Sequence, residues 1–299
     1  MAVLNYAEQY QQALQQAFKV GLQFNELYNT PNNSLVKWVN AKTVQVPNIT
    51  TGGMTDVNRD AVTGYTRRVD NNYVPLTLEH DREFSTLVDP VDINESNMAV
   101  TISNITQVFN TEHKIPEMDK YAASKLVSDF TAKGGVLEQT VLTTANILTV
   151  FDQFMEEVDD AESPTEGRIL YVTPQINTLL KNAENLQRSL EIRGSSSAAN
   201  RNIRALDEVT IKVVPSSRMK TVYDFTDGAV ADTTALQINM ILIHPQTLFT
   251  PQKYEFVSLD EPTAKTGGKW LYYERKYWDL FVIGQKVSAI KVSTDAPPI

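Results

Sequence analysis

The sequence predicts an α+β fold with a long excursion from its body, and three features carry that expectation. Residues 43–81 are a polar run of short β-type segments broken by turn formers, with few large apolar side chains. Residues 114–132 open with KIPEMD and continue as a long helix. Residues 167–245 alternate short apolar strands with a helix, and an aromatic, β-rich tail follows. An arm that cannot bury itself, set beside a long helix, suits a subunit completed by its neighbours better than it suits an enzyme.

The 299 residues are 42% apolar and 21% charged, enough to form a core in one large or two ordinary domains. Lys and Arg number 27 against 36 Asp and Glu, a formal charge of −9, with no dense basic tract. That balance argues against gripping a phosphate backbone and is compatible with a wall that encloses DNA without sticking to it. Cysteine is absent, which excludes disulfides, thiolate metal sites and thiol nucleophiles and fits a reducing cytoplasm. The N-terminus lacks a basic start followed by an apolar run, so no signal peptide is expected. The longest apolar stretch, near 240–243, is too short for a bilayer. No solenoid-type repeat is visible.

In chain order, residues 5–28 read as an amphipathic helix through Tyr6, Tyr10, Leu14, Phe18 and Leu22, stopped by Thr30-Pro31-Asn32-Asn33. It either packs on its own domain or docks on a neighbour as an arm. From Thr43 come short strands, with Gly52-Gly53, Asn58, Gly64 and Asn71-Asn72 as turn formers. So long a segment without a core is functional or disordered; an extended hairpin lying on another subunit would give it burial, and a loose surface loop is the alternative. Strand character returns at 84–88, and a helix is expected over 98–109. Pro116 is expected to end a connector before a helix at 118–132, with Glu117 and Asp119 favourable to its dipole and Gly134-Gly135 terminating it. A helix over 144–160 carries the stripe Ile147, Phe151, Phe154, Val158, with Thr143 or Thr144 as N-cap. Its end holds Glu156, Glu157, Asp159, Asp160 and Glu162 with no base among them, an arrangement the dipole opposes. Such a cluster is either solvated or met by a neighbour's arginines. RILYVT at 168–173 reads as a strand, Thr173-Pro174 starts a helix, residues 193–202 are a loop, and strands follow at 209–214 and 236–243. The tail segments YEFVSL, KWLYYERKYWDLFVIG and KVSAIKV read as half-buried antiparallel strands.

Catalytic signatures are missing. There is no G-x-S-x-G, Walker A or G-x-G-x-x-G pattern, and His80, His113 and His244 lie in separate segments outside any metal-binding motif. No cofactor or metal is expected. The aromatic residues Tyr272, Tyr273, Tyr277 and Trp278 are expected to pack on the long helices rather than stack on bases.

Four passages, in order, resemble the tailed-bacteriophage major capsid proteins of the Hong Kong 97-type fold: 114–126 the entry to the spine helix, 166–181 the start of the axial domain, 210–225 with 238–248 that domain's central strands, and 267–292 the closing strands of the peripheral domain. The resemblance implies an N-arm at 1–42, an extended E-loop at 43–82, a peripheral domain of 83–165 with 246–299, and an axial domain at 166–245 whose 188–204 loop lies near the capsomer axis. It implies an icosahedral head of pentamers and hexamers around double-stranded DNA, located in the virion and assembled in the host bacterial cytoplasm. Inter-subunit contact candidates are Arg59, Arg67 and Arg68 on the E-loop, Asp159 and Asp160 as their acidic partners, and Arg193, Arg201 and Arg204 near the axis. Some relatives crosslink through an E-loop lysine, whereas this chain has no lysine between Lys42 and Lys114. Met1 directly precedes the presumed arm, so scaffolding is expected from a separate protein, along with a portal. An encapsulin-type compartment, whose shell binds cargo at an N-terminal helix, and a soluble α+β enzyme are the alternatives.

Overall fold

Two strands with no solvent-exposed face set the architecture of the body. In the computed structural model, which describes residues 19–40, 42–54, 56, 67–91, 102–183 (side chains from 105) and 205–296, strand β5 (Ile169–Val172) and strand β10 (Ile238–Ile243) are buried along their whole lengths. Runs such as ILYV and INMILI demand cover on both faces. They lie side by side in a five-stranded sheet of order β15-β10-β5-β7-β6, with β6 Ala205–Leu206, β7 Val209–Val213 and β15 Ile290–Thr294. Alternation along the strands splits the sheet into two cores. Ile169, Tyr171, Ile241 and Ile243 face one cluster, with Phe24, Leu126 and Phe130. Leu170, Val172, Met240 and Leu242 face the other, with Phe151, Phe154 and Leu180.

The helices supply that cover. After the short helix α1 (Asn25–Tyr28), helix α2 (Ile102–Phe109) runs through a π-turn at Asn110–Lys114 into the 18-residue α3 (Ile115–Ala132). The expected connector ending at Pro116 is therefore replaced by continuous helix. Pro116 lacks an N–H and its ring crowds the carbonyl four residues back. That carbonyl belongs to Glu112, inside the widened turn, which accommodates the proline without a break. Gly134 ends α3 in the left-handed region at φ 89°.

Helix α4 (Ile147–Asp160) starts later than expected, and neither Thr143 nor Thr144 caps it. Its N-cap is Asn146, whose Oδ1 accepts from the Thr143 backbone N–H at 2.7 Å. Helix α5 (Pro174–Lys181) follows the sequence rule: Thr173 Oγ1 accepts from Ile176 N, with Pro174 in the first turn.

Of the helix expected over 5–28, residues 1–18 lie outside the described residues, 19–24 are not helical, and only α1 forms. Tertiary partners take the backbone groups a helix would pair. Gln23 N and Phe24 N donate to Asp119, and the carbonyls of Val20 and Gly21 accept from Arg218. The tail departs once more: KVSAIKV opens as a 3-10 turn, Gly284–Ala289, before β15. That last strand pairs with β10 in the central sheet, away from the other tail strands.

Those other strands, β12 (Gln252–Asp260) and β13 (Trp270–Trp278), pair with β4 (Asp81–Val88) in the order β12-β13-β4. The face of this sheet nearer the helices carries Phe84, stacked on Phe109 of α2 at 3.7 Å. Trp278 approaches Tyr121 of α3, with ring centroids 6.5 Å apart. Small two-stranded pairings join β8 (Tyr223–Asp224) to β9 (Val230–Ala231) and β11 (Leu248–Phe249) to β14 (Phe281–Val282).

Candidate assembly surface

Segment 43–77 forms an antiparallel hairpin of β2 (Thr43–Thr51) and β3 (Val69–Thr77), with Thr43 opposite Thr77 and Thr51 opposite Val69. A two-residue strand, β1 (Lys37–Trp38), pairs beside its root. Among its described residues only the root has a core: Val44 and Leu78 are buried against Phe249, Tyr277 and Phe281. Beyond it β3 is exposed from Val69 to Pro75, and Ile49, Val69, Tyr73 and Val74 present apolar surface to solvent. This polar, two-sided strand pair buries too little to be stable as a free ribbon.

The hydrogen-bond phase of the hairpin fixes what its edges offer. Gly52 N donates to Arg68 O and Leu78 N to Lys42 O, each at 2.8 Å, on the same register as the ladder. Even-numbered residues therefore bond across the hairpin, and odd-numbered residues turn their backbone groups outward. Pro47 and Pro75 both occupy odd positions, so the missing N–H groups fall on the outer edges. Each outer edge is blunted toward the root, and among the described residues the edge of β3 stays open at Val69, Asn71 and Tyr73.

Among the described residues a second open edge belongs to β12, the outer strand of its sheet. Tyr254, Phe256, Val257 and Leu259 are all exposed, and the Tyr254 and Phe256 rings stack at 6.1 Å.

Two buried acids tie the arm and the N-terminal strap to the body. Asp279, fully buried, accepts from Tyr121 Oη at 2.6 Å and from Glu79 N, one residue beyond the hairpin root, at 2.9 Å. Tyr277 Oη donates to Leu78 O at 2.6 Å. Asp119 on α3, also fully buried, accepts from Gln23 N, Phe24 N and, at 2.6 Å, Arg218 Nη1.

A cavity of about 430 Å³ opens between β4, the π-turn and the β8–β9 loop, lined by Arg82, His113, Lys114, Glu117 and Glu274. Glu117 is held by Arg82 Nε at 2.5 Å, with His80 Nε2 at 3.7 Å. Burial pushes its carboxyl up, and the bonding and charge of Arg82 and His80 outweigh that and hold it below the usual carboxylate range. A depressed folded pKa gives stability that is fully present above the unfolded value of about 4.3 and is lost as pH falls through the folded value. Glu117→Gln should accordingly cost more stability at neutral pH than in acid, read as urea midpoints of both proteins across pH; an equal loss throughout would contradict the pairing.

The predicted contact residues fare unequally. Arg59, Arg193, Arg201 and Arg204 lie outside the described residues. Arg67 and Arg68 are exposed at the outer end of the hairpin, bonded to Val69 O at 3.0 Å and Gly53 O at 3.2 Å respectively. Asp159 pairs within its own chain, Oδ1 lying 2.7 Å from Nη2 of the buried Arg168, while Asp160 is exposed. Lys291 likewise engages Glu157. The acids of α4 that looked baseless are thus partly neutralised by basic residues that come later in the chain. The Asp119–Arg218 and Glu117–Arg82 pairs were not visible in sequence, because each joins residues far apart with no local motif.

No family model and no curated protein matches the chain. Solved structures match over nearly its whole length. The capsid structure of cyanophage P-SCSP1u has a TM-score of 0.68 at 12% identity, covering 95% of this chain and 90% of that one. A structure from Mycobacterium phage Che8 gives 0.63 at 13%, covering 93% of each chain. The mature capsid of bacteriophage PhiM1 gives 0.60 at 12%, covering 86% and 83%. Identity this low speaks to architecture alone, and on the helix, hairpin and sheet arrangement together the chain has the Hong Kong 97-type fold of phage capsid proteins.

Proposed function

We propose that this chain is a major capsid protein that self-assembles into the icosahedral head of a tailed phage around double-stranded DNA. The observation that carries the reading is the hairpin arm: it leaves the body with a core only at its root and exposes apolar side chains beyond. Its burial then comes from another copy of the chain, with the arm laid over the adjacent subunit. In this reading residues 1–42 are the N-arm, 43–82 the E-loop, 83–165 with 246–299 the peripheral domain and 166–245 the axial domain. Many weak interfaces of this kind add through multivalency. The net charge of −9 suits a container that holds DNA without binding its sequence. A portal joins the assembly, and the work of the chain is mechanical rather than catalytic.

Electron microscopy of the purified protein tests this directly: closed shells are expected, and a stable monomer at every concentration would refute it. With no lysine from 43 to 113 and no cysteine anywhere, those shells should dissolve to monomers on denaturing gels. A covalent ladder through that segment would show a linkage this reading does not contain.

A further inference from the structure

The arm arginines need acids other than Asp159, which its own chain already occupies. We infer that the outer edge of β12 in one subunit is completed by the outer edge of β3 from a second copy, as an added antiparallel strand. This inference rests on the capsid reading and names the surface on which the arm lies.

Hydrogen-bond phase is the first argument. Trp278 N donates to His80 O at 3.2 Å on the β13–β4 register, so even-numbered residues of β13 bond to β4. Odd-numbered residues of β13 bond to β12, and their partners there are even-numbered, such as Tyr254 opposite Tyr277 and Ser258 opposite Tyr273. Glu255, Val257 and Leu259 therefore turn their backbone groups outward, as Val69, Asn71 and Tyr73 do on β3.

Charge selects direction and register. Asp260 and Glu261 are exposed and, among the described residues, form no ion pair. An antiparallel ladder with Arg68 opposite Asp260 places Arg67 opposite Glu261; a parallel one would carry the arginines toward Lys253. That register sets odd against odd throughout, as the outward bonds require. It joins exposed apolar partners, Val69 with Leu259 and Val74 with Tyr254. It also sets Pro75, which has no N–H to give, opposite Lys253, where a bulge between Gln252 and Tyr254 already breaks the β12 register. Strand addition of this kind supplies main-chain bonds for affinity and side chains for register.

The native chain has no cysteine, so an engineered pair reports this contact alone. Particles of the double variant Asp70→Cys, Ser258→Cys, a directly opposed non-hydrogen-bonded pair in this register, should give an intermolecular ladder on oxidation and non-reducing electrophoresis. The shifted pair Asn71→Cys, Ser258→Cys puts its Cβ atoms on opposite faces and should crosslink at least about fivefold less. Independently, Arg67→Glu with Arg68→Glu should cut particle yield about tenfold, and adding Asp260→Arg with Glu261→Arg should restore it. Wild-type shells combined with no ladder, equal ladders from both pairs, or no rescue by the acid reversals would overturn this surface while leaving the capsid reading standing. Absence of wild-type shells would remove both.

Discussion

Cutting the arm back to its root should yield a folded subunit that forms no shell. Replacing residues 47–73 with Asn-Gly would close a two-residue turn between Val46 and Val74, a hydrogen-bonded pair in the hairpin register. The root residues Val44, Leu76 and Leu78 stay in place, so the small core against Phe249, Tyr277 and Phe281 survives. None of the described side chains removed is buried, so unfolding by heat should change by only a few degrees. Assembly should respond very differently: in the proposed shell the same contact recurs at every copy, and its loss multiplies. Gel filtration with electron microscopy would check this. Normal shells from the shortened chain would show that the arm does not hold neighbours together.

The second large effect concerns the strap that leads into the body. Asp119→Ala should destabilise the subunit by about 3–5 kcal/mol, and Arg218→Ala by a similar amount, because each leaves a buried charge without its partner. Asp119 gathers two backbone N–H groups and the guanidinium, and that guanidinium reaches on to the carbonyls of Val20 and Gly21. Burial raises the Asp119 carboxyl above the usual range, and the bonds from Phe24, Arg218 and Gln23 offset this only in part. Net stabilisation is therefore a weaker description of the pair than positional control: it decides where the chain enters between α3 and the central sheet. Urea unfolding should show the double variant losing clearly less than the sum of the singles. Amide exchange at Gln23 and Phe24 should accelerate in both singles. Additive losses, or unchanged exchange at those amides, would contradict the clamp.

The elements legible in the sequence are those whose burial is written as local pattern. β5 is a continuous apolar run and β10 is one but for Asn239, α5 begins with its own cap and proline, and the arm declares itself by a lack of core formers. What could not be read depends on partners distant in the chain. The non-helical strap at 19–24 exists because Asp119 and Arg218 take its backbone groups. Helix α2 passes into α3 because a π-turn accommodates Pro116, a residue that in isolation signals a stop. The acids Glu157 and Asp159 find Lys291 and Arg168 only after folding. Of the assembly surface, the hairpin was visible as a segment, whereas the exposed edge of β12 was not: YEFVSL reads the same whether its outer side is paired or open.

The place of β15 bears on how the body closes. Residues 290–294 complete the sheet beside β10 and send Ile290 and Val292 into the core that α3 covers. The tail, 246–289, is thereby a loop tied off at both ends by one strand pairing. Closing it carries an entropic toll that local helices escape, so this non-local step should pace folding of the whole body.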